Sequence, residues 1–223
     1  VNSTYGLRIF SPDKKPLNEI SFSEDIKFRG IQYEQNFSPD IFLVDKFIPQ
    51  GSDEIIVSAS NGRSPTMIAR INPKGEILGK YFHFGFIRFM KSVDINNDGN
   101  KEIIFCTSND IDDDKKLQTP VIIVIDPAKI TGKTQAADSY GFGLQPSDAE
   151  LFCVSLPLTD LDTVLHSNGS VTSVDTGNFM MQPSLNYWRS GSYNFNSAQL
   201  MHPKFEFIFS KDMHILDVKS TTA

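Results

Sequence analysis

Between Asp94 and Glu102 the chain reads Asp94-Ile95-Asn96-Asn97-Asp98-Gly99-Asn100-Lys101-Glu102, with an oxygen-bearing side chain at every second position and a glycine after the third. Alternation of this kind is how a short loop wraps a hard cation. Calcium takes six to eight oxygen ligands at about 2.3 to 2.6 Å, and a tight turn brings every second residue inward. Gly99 permits the bend. The stretch is a candidate calcium loop, and its few carboxylates place it toward the weak end of calcium affinity, about 10⁻⁴ to 10⁻³ M. The alternative is a polar turn between strands, since Asn, Asp and Gly favour turns without a metal.

Other chemistry-bearing residues give weaker signals. Asp110, Asp112 and Asp114 also alternate, but no glycine follows and Lys115 and Lys116 do, which describes a solvated hairpin tip. His83, His166, His202 and His214 are scattered and no Gly-x-Ser-x-Gly elbow occurs, which argues against a hydrolase triad. Gly132-Lys133-Thr134 has the end of a phosphate loop without its leading glycine, whose place Pro127 takes, and reads as a turn. Asn2, Asn36 and Asn168 begin glycosylation triplets, a pattern too common to establish secretion. Trp188 with Tyr187, Tyr193 and Phe195 forms an aromatic and polar stretch, read as packing, with an exposed recognition loop as the alternative.

The elements that must position the loop are strands. Phe42–Val44, Glu54–Val57, Glu102–Phe105, Val121–Ile125 and Phe205–Phe209 are short, β-branched or aromatic, and bounded by turn residues. No long 3.6-residue apolar period competes with them. The fold class expected is all-β.

Some of these stretches are copies. Ile56-Val57-Ser58-Ala59-Ser60, Ile104-Phe105-Cys106-Thr107-Ser108 and Leu151-Phe152-Cys153-Val154-Ser155 share one pattern at offsets of 48 (104 − 56) and 47 (151 − 104), each led by an acid: Glu54, Glu102 or Glu150. A second unit, a strand that runs into a turn and returns, occurs at Leu7–Asp13, Ile68–Gly75, Ile123–Pro127 and Phe207–Asp212. A period of about 40 to 50 residues with several short strands is the sign of a β-propeller blade. Length then gives a β-propeller of about 4 to 5 blade-like repeats, or part of a larger propeller. One domain over 1–223 is expected, clearest over 42–150 and degenerate over 151–223. A β-sandwich is the alternative. Cys106 and Cys153, equivalent in this repeat, would lie too far apart to bridge and read as two buried free thiols.

With loop and period together, Phe84-Gly85 followed by Val93 to Ile104 resembles the FG-GAP/VCBS repeat family, whose motif runs Phe-Gly, a spacer, Asp-x-Asn/Asp-x-Asp-Gly-x-x-Asp/Glu and an apolar strand. The resemblance implies a loop that joins two strands of a blade and holds one structural Ca2+ through Asp94, Asn96, Asp98, the Asn100 backbone carbonyl and Glu102. In the preceding unit Asp45 to Glu54 puts Phe47 and Pro49 near positions that need oxygen, and Gln145 to Glu150 is too short, so one site is expected.

Composition bounds the rest. A net charge of −6 and a pI near 5.2 argue against a nucleic-acid surface, which needs a basic stripe. No apolar run approaches the roughly 18 to 20 residues needed to cross a bilayer, so no membrane insertion is expected. The chain starts at Val1 rather than Met, which leaves room for a leader, an anchor or a further domain before it. The function expected is a non-catalytic module that binds a protein or carbohydrate ligand outside the cytoplasm: extracellular, periplasmic or at the cell surface. A propeller enzyme using carboxylates, or the ectodomain of a membrane sensor, is the alternative.

Overall fold

Short β-branched and aromatic segments set the local structure, and the described residues fold mainly as strands. In the computed structural model, residues 6–28, 30–33, 36–62, 65–109, 119–135, 143–156, 179–181, 204–210 and 213–221 are described. They form β1 (Gly6–Phe10), β2 (Pro16–Ser23), β3 (Ile26–Phe28), β4 (Ile31–Tyr33), β5 (Asn36–Asp45), β6 (Glu54–Ser60), β7 (Thr66–Ile71) and β8 (Ile77–His83). After these come β9 (Ile87–Val93), β10 (Glu102–Asn109), β11 (Thr119–Ile125), β12 (Glu150–Ser155), β13 (Phe179–Met181), β14 (Lys204–Phe209) and β15 (Ile215–Thr221). A 3₁₀ turn at Pro127–Lys129 is the one helical element among the described residues, so the all-β expectation holds.

Every pairing between these strands is antiparallel. The chain lays down a hairpin (β1–β2), a four-stranded meander (β5–β8), a second meander in the order β9-β10-β11-β12, and the sheet β13-β14-β15. The hairpin joins the first meander through two residue pairs only, Phe22–Phe37 and Ser23–Asn36.

The sheets stack face to face, because the central strands bury both faces. In β6 and β7, Val57, Ala59, Met67, Ala69 and Ile71 pack against Ile20 and Phe22 of the hairpin. The opposite face of the same strands, Ile56 and Ile68, meets Ile103, Phe105 and Ile123 of the second meander. Ile104, Cys106, Ile122 and Val124 turn the other way, onto Phe209 and Met213. Near-continuous apolar runs such as Val121–Ile125 are what a strand buried on both sides requires. Fully burying one such side chain stabilises by about 1.5 to 3 kcal/mol. Closure of the stack into a ring is not seen among the described residues.

Strand register shows where the repeat lies. Ile56 and Ile104 are equivalent, each in the second strand of its meander. Leu151 is not their equivalent. It lies in β12, the fourth strand of the sheet that already contains Ile104, so the 47-residue offset joined unlike strands.

The true equivalents of Leu151 are bulge residues. Opposite the pairs Ile9/Phe10, Arg70/Ile71, Val124/Ile125 and Ile208/Phe209 the register skips one residue, namely Leu17, Leu78, Leu151 and Leu216. Each extra residue of a bulge is re-aimed out of the ladder. All four leucines are exposed, at 66%, 49%, 40% and 66%. The partners of the bulges follow one rule as well. Ile71, Ile125 and Phe209 each face the preceding sheet. Phe10, their counterpart, is 54% exposed and has no preceding sheet among the described residues.

Candidate metal-binding loop

The Asp94–Glu102 loop joins β9 to β10, two adjacent antiparallel strands, so strand pairing brings its ends together. Two residues take the left-handed backbone that the bend needs, Asn97 at φ 60° and Gly99 at φ 90°. Gly99 was legible in the sequence. Asn97 was not singled out, although Asn is the non-glycine residue that tolerates this region best.

Loop oxygens are drawn onto backbone donors. Asp94 accepts from the N–H of Asp98 (3.1 Å) and of Gly99 (2.9 Å). Asn96 Oδ1 accepts from the Asp98 N–H at 2.9 Å, and Asn96 Nδ2 donates to Asp98 Oδ2 at 2.9 Å. Asp98 Oδ1 accepts from the Asn100 N–H at 2.7 Å. That last bond, followed by the one from Asn96, holds the Asp98 carboxyl below its ordinary range. Glu102 differs from the rest of the set because it is buried, and it accepts from the Ile95 N–H at 2.9 Å. Burial, offset by that bond, and then the charges of Asp98 and Asp94 push its carboxyl above the ordinary value. Asn96, Asp98 and Asn100 are exposed and Asp94 is half-buried. Among the described residues no three His, Cys, Asp or Glu side chains are gathered into a metal-holding group.

The donor set nevertheless suits a hard cation. Each carboxylate oxygen that accepts an N–H keeps a second lone pair, and Glu102 faces two other carboxylates. Lys101, the cation within the loop, is engaged elsewhere. Its Nζ donates to Asp45 at 2.7 and 2.8 Å, and its N–H donates to the Phe47 carbonyl at 2.9 Å. Ser92 Oγ also donates to Asp45. Burial alone would raise the Asp45 carboxyl, but Lys101 and Ser92 outweigh it and hold it low.

Loop 46–53, between β5 and β6, is the register counterpart of loop 94–101 at the same 48-residue offset (102 − 54). Lys46 and Ile48 therefore stand where Asp94 and Asn96 stand. The expectation named Phe47 and Pro49, one residue out of step, and the conclusion that this loop lacks the oxygens is unchanged. Phe47 is buried in the core between the meanders. The two strand-leading acids also differ in their partners. Glu54 takes a bidentate pair from Arg70 at 2.6 and 3.0 Å, both side chains largely buried. Arg70 lies opposite Ile56, and the residue opposite Ile104 is Val124. Among the described residues Glu102 therefore has no guanidinium partner.

The third acid, Glu150, accepts from Tyr81 OH at 2.7 Å and Thr134 Oγ1 at 2.8 Å. Burial and the Glu150 charge push the Tyr81 phenol well above its ordinary value. At the far end of the strands Thr66 Oγ1 donates to the Gly85 carbonyl at 2.7 Å, and the Gly85 N–H donates to His83 Nδ1 at 2.9 Å. Burial holds His83 at a pKa of about 3, and among the described residues its Nε2 has no partner.

Both thiols are free, but only Cys106 is buried; Cys153 is exposed on β12, which corrects the expectation of two buried thiols. They lie two strands apart in one sheet and face opposite ways, being opposite Ile122 and Ile123. Burial pushes the Cys106 thiol far up, and the partial cover of the Cys153 sulfur, together with the Glu150 charge, takes that thiol up to about 12. Residues 132–134 are not a simple turn: Gly132 and Thr134 bracket Phe82 of β8 in a parallel bridge. Asn36 is exposed at the start of β5. Asn2, Asp110, Asp112, Asp114, Asn168, His166, His202 and the Tyr187–Phe195 stretch lie outside the described residues. No helix among the described residues is long and apolar enough to cross a membrane.

Comparison with family models, curated proteins and solved structures gives no match.

Proposed function

We propose that the chain is a non-catalytic, calcium-binding β-propeller module of FG-GAP/VCBS type, of about four to five blade-like repeats or part of a larger propeller. One structural Ca2+ in loop 94–102 would be held by Asp94, Asn96, Asp98, the Asn100 carbonyl and Glu102. Its role is to rigidify one repeat while loops present a surface to a protein or carbohydrate ligand outside the cytoplasm.

The observation that carries the reading is the exchange of Arg70 for Val124. Glu54 and Glu102 begin equivalent strands, and in the first repeat the charge is met by Arg70. In the second repeat the equivalent position is apolar and the acids Asp94 and Asp98 are added around Glu102. A bound divalent cation balances that arrangement as Arg70 balances Glu54. The propeller reading is supported by two successive four-stranded meanders with cores on both faces. The non-catalytic reading is supported by His83 and Cys106, whose burial keeps the imidazole neutral and the thiol protonated.

The test is a calcium titration of chelated protein, followed by its melting temperature. A rise that Asp98→Ala abolishes supports the proposal. Absence of any shift at millimolar calcium overturns it.

A further inference from the structure

The outer edge of β8 is already filled by the chain itself. The Phe82 N–H donates to the Gly132 carbonyl at 2.9 Å, and the Thr134 N–H donates to the Phe82 carbonyl at 2.9 Å, so residues 132–134 add to β8 as a short parallel strand. Ile130, just before them, is buried in the core between the meanders. Residue 79 is glycine because a Cβ there would lie 2.0 Å from the Ile130 carbonyl oxygen. This filler comes from the long connection 126–149 between β11 and β12.

β12 is the counterpart of β8 in the second meander. Leu151 matches Leu78 as the bulge residue, and Ser155 matches Phe82, four residues further on in both. The connection that would fill its edge lies between β14 and β15, and it is only the turn 210–214. Among the described residues β12 pairs with β11 alone.

A cavity of about 540 Å³ runs there, lined by the five successive residues Leu151–Ser155 on one side and by Met213 and His214 on the other. Neighbouring residues of a strand point to opposite faces. A cavity lined by five in a row therefore follows the edge of the strand. The Leu156 N–H donates inward to the Pro120 carbonyl at 2.9 Å, so alternation turns the N–H and C=O groups of Ser155 and Cys153 outward, toward the cavity. Residues 151–155 carry no charge and no proline, which are the usual guards of an edge.

We propose that the outer edge of β12 is a strand-addition site for an extended, uncharged segment of a partner protein. It binds parallel to β12, as 132–134 binds β8, and takes the outward groups of Cys153 and Ser155. Phe152 stands where β8 has Gly79, so the partner strand begins alongside Cys153 and carries a small residue beside Phe152. The site is independent of the cation loop and of ring closure.

The chain supplies the template for a probe, a synthetic peptide copying residues 131–137 with blocked ends and Lys133→Ala, which leaves it uncharged. Titrated to millimolar concentration into the full chain, it should shift and protect the amides of Cys153 and Ser155. N-methylation at the residue copying Thr134 should weaken binding at least tenfold. Ser155→Pro, which removes an outward N–H and leaves the ladder to β11 intact, should do the same with an unchanged circular dichroism spectrum. Absence of binding, shifts confined to Phe82, or equal binding by the N-methylated peptide would overturn the proposal. A dimer that oxidation links through Cys153 would also overturn it, by assigning the edge to a second copy of the chain.

Discussion

Val124 stands opposite Ile104 in the second meander, the place that Arg70 holds opposite Ile56 in the first. At this register position an apolar residue takes the place of a guanidinium, and the exchange changes what each strand-leading glutamate needs.

Removing Arg70 should expose that need in the first meander. Arg70→Ala leaves Glu54 largely buried and unpaired and also releases the Pro127 carbonyl, which Arg70 Nη1 holds at 3.1 Å. Breaking one half of such a pair costs about 3 kcal/mol. Urea unfolding should show that loss, and adding Glu54→Gln should recover most of it. Equal stability of the single and double variants would mean that the pair contributes nothing.

Calcium should stabilise the folded chain by mass action. At ten to a hundred times the dissociation constant the gain is about 1.4 to 2.7 kcal/mol, a few degrees in melting temperature. Asp98→Ala and Glu102→Gln should both remove the response. Magnesium should give a smaller response, because it demands a tighter octahedral geometry and dehydrates reluctantly.

The pH dependence of the metal-free chain follows from Glu102. Its folded pKa is raised by burial, partly offset by the Ile95 bond, and by Asp98 and Asp94. The folded state therefore keeps its proton to higher pH than the unfolded state. Stability should fall as pH rises from the ordinary value of 4.5 through the raised folded value. Calcium or Glu102→Gln should flatten that slope in denaturant titrations. A slope unaffected by either would place its origin in another group.

His83 acts in the opposite direction. Held at a pKa of about 3 against 6.5 unfolded, it makes the folded state bind fewer protons. Stability is complete above pH 6.5 and is lost as pH falls toward 3. From pH 7 to pH 5 the loss from this residue alone is about 2 kcal/mol. His83→Asn, which keeps an acceptor for the Gly85 N–H, should remove most of that acid sensitivity.

Gly79→Ala should unseat the segment beside β8. Its Cβ would meet the Ile130 carbonyl, which cannot move without breaking the bridge at Phe82. Overpacking of this kind costs about 1 to 3 kcal/mol. Hydrogen exchange at Thr134 should rise far more than exchange at Ile104.

What the sequence revealed, and what it hid, follows one physical division. The loop at Asp94–Glu102 was legible because its side chains bond to their own neighbours, and so was the match of Ile56 with Ile104. Leu151 was misplaced because Leu-Phe-Cys-Val-Ser imitates a second strand in composition, while its strand pairing makes it a fourth. The counterpart of Asp94 was set one residue early because Asp45 has the right side chain. Register puts Lys46 there and gives Asp45 to Lys101 of the next repeat. Arg70 against Val124, the bulged leucines and the β12 edge, unpaired among the described residues, depend on cross-strand partners or on the length of a distant connection. Local pattern does not encode them.

Shared cores give the molecule a nearest-neighbour energetics. The strands β6, β7, β10 and β11 each contribute to two hydrophobic layers, so an inner sheet cannot loosen without uncovering both of its neighbours. An end sheet uncovers only one. Fraying should therefore start at the ends of the stack and move inward, as along a short one-dimensional lattice. A break introduced between the two meanders should be far more damaging than the same break beside the first hairpin.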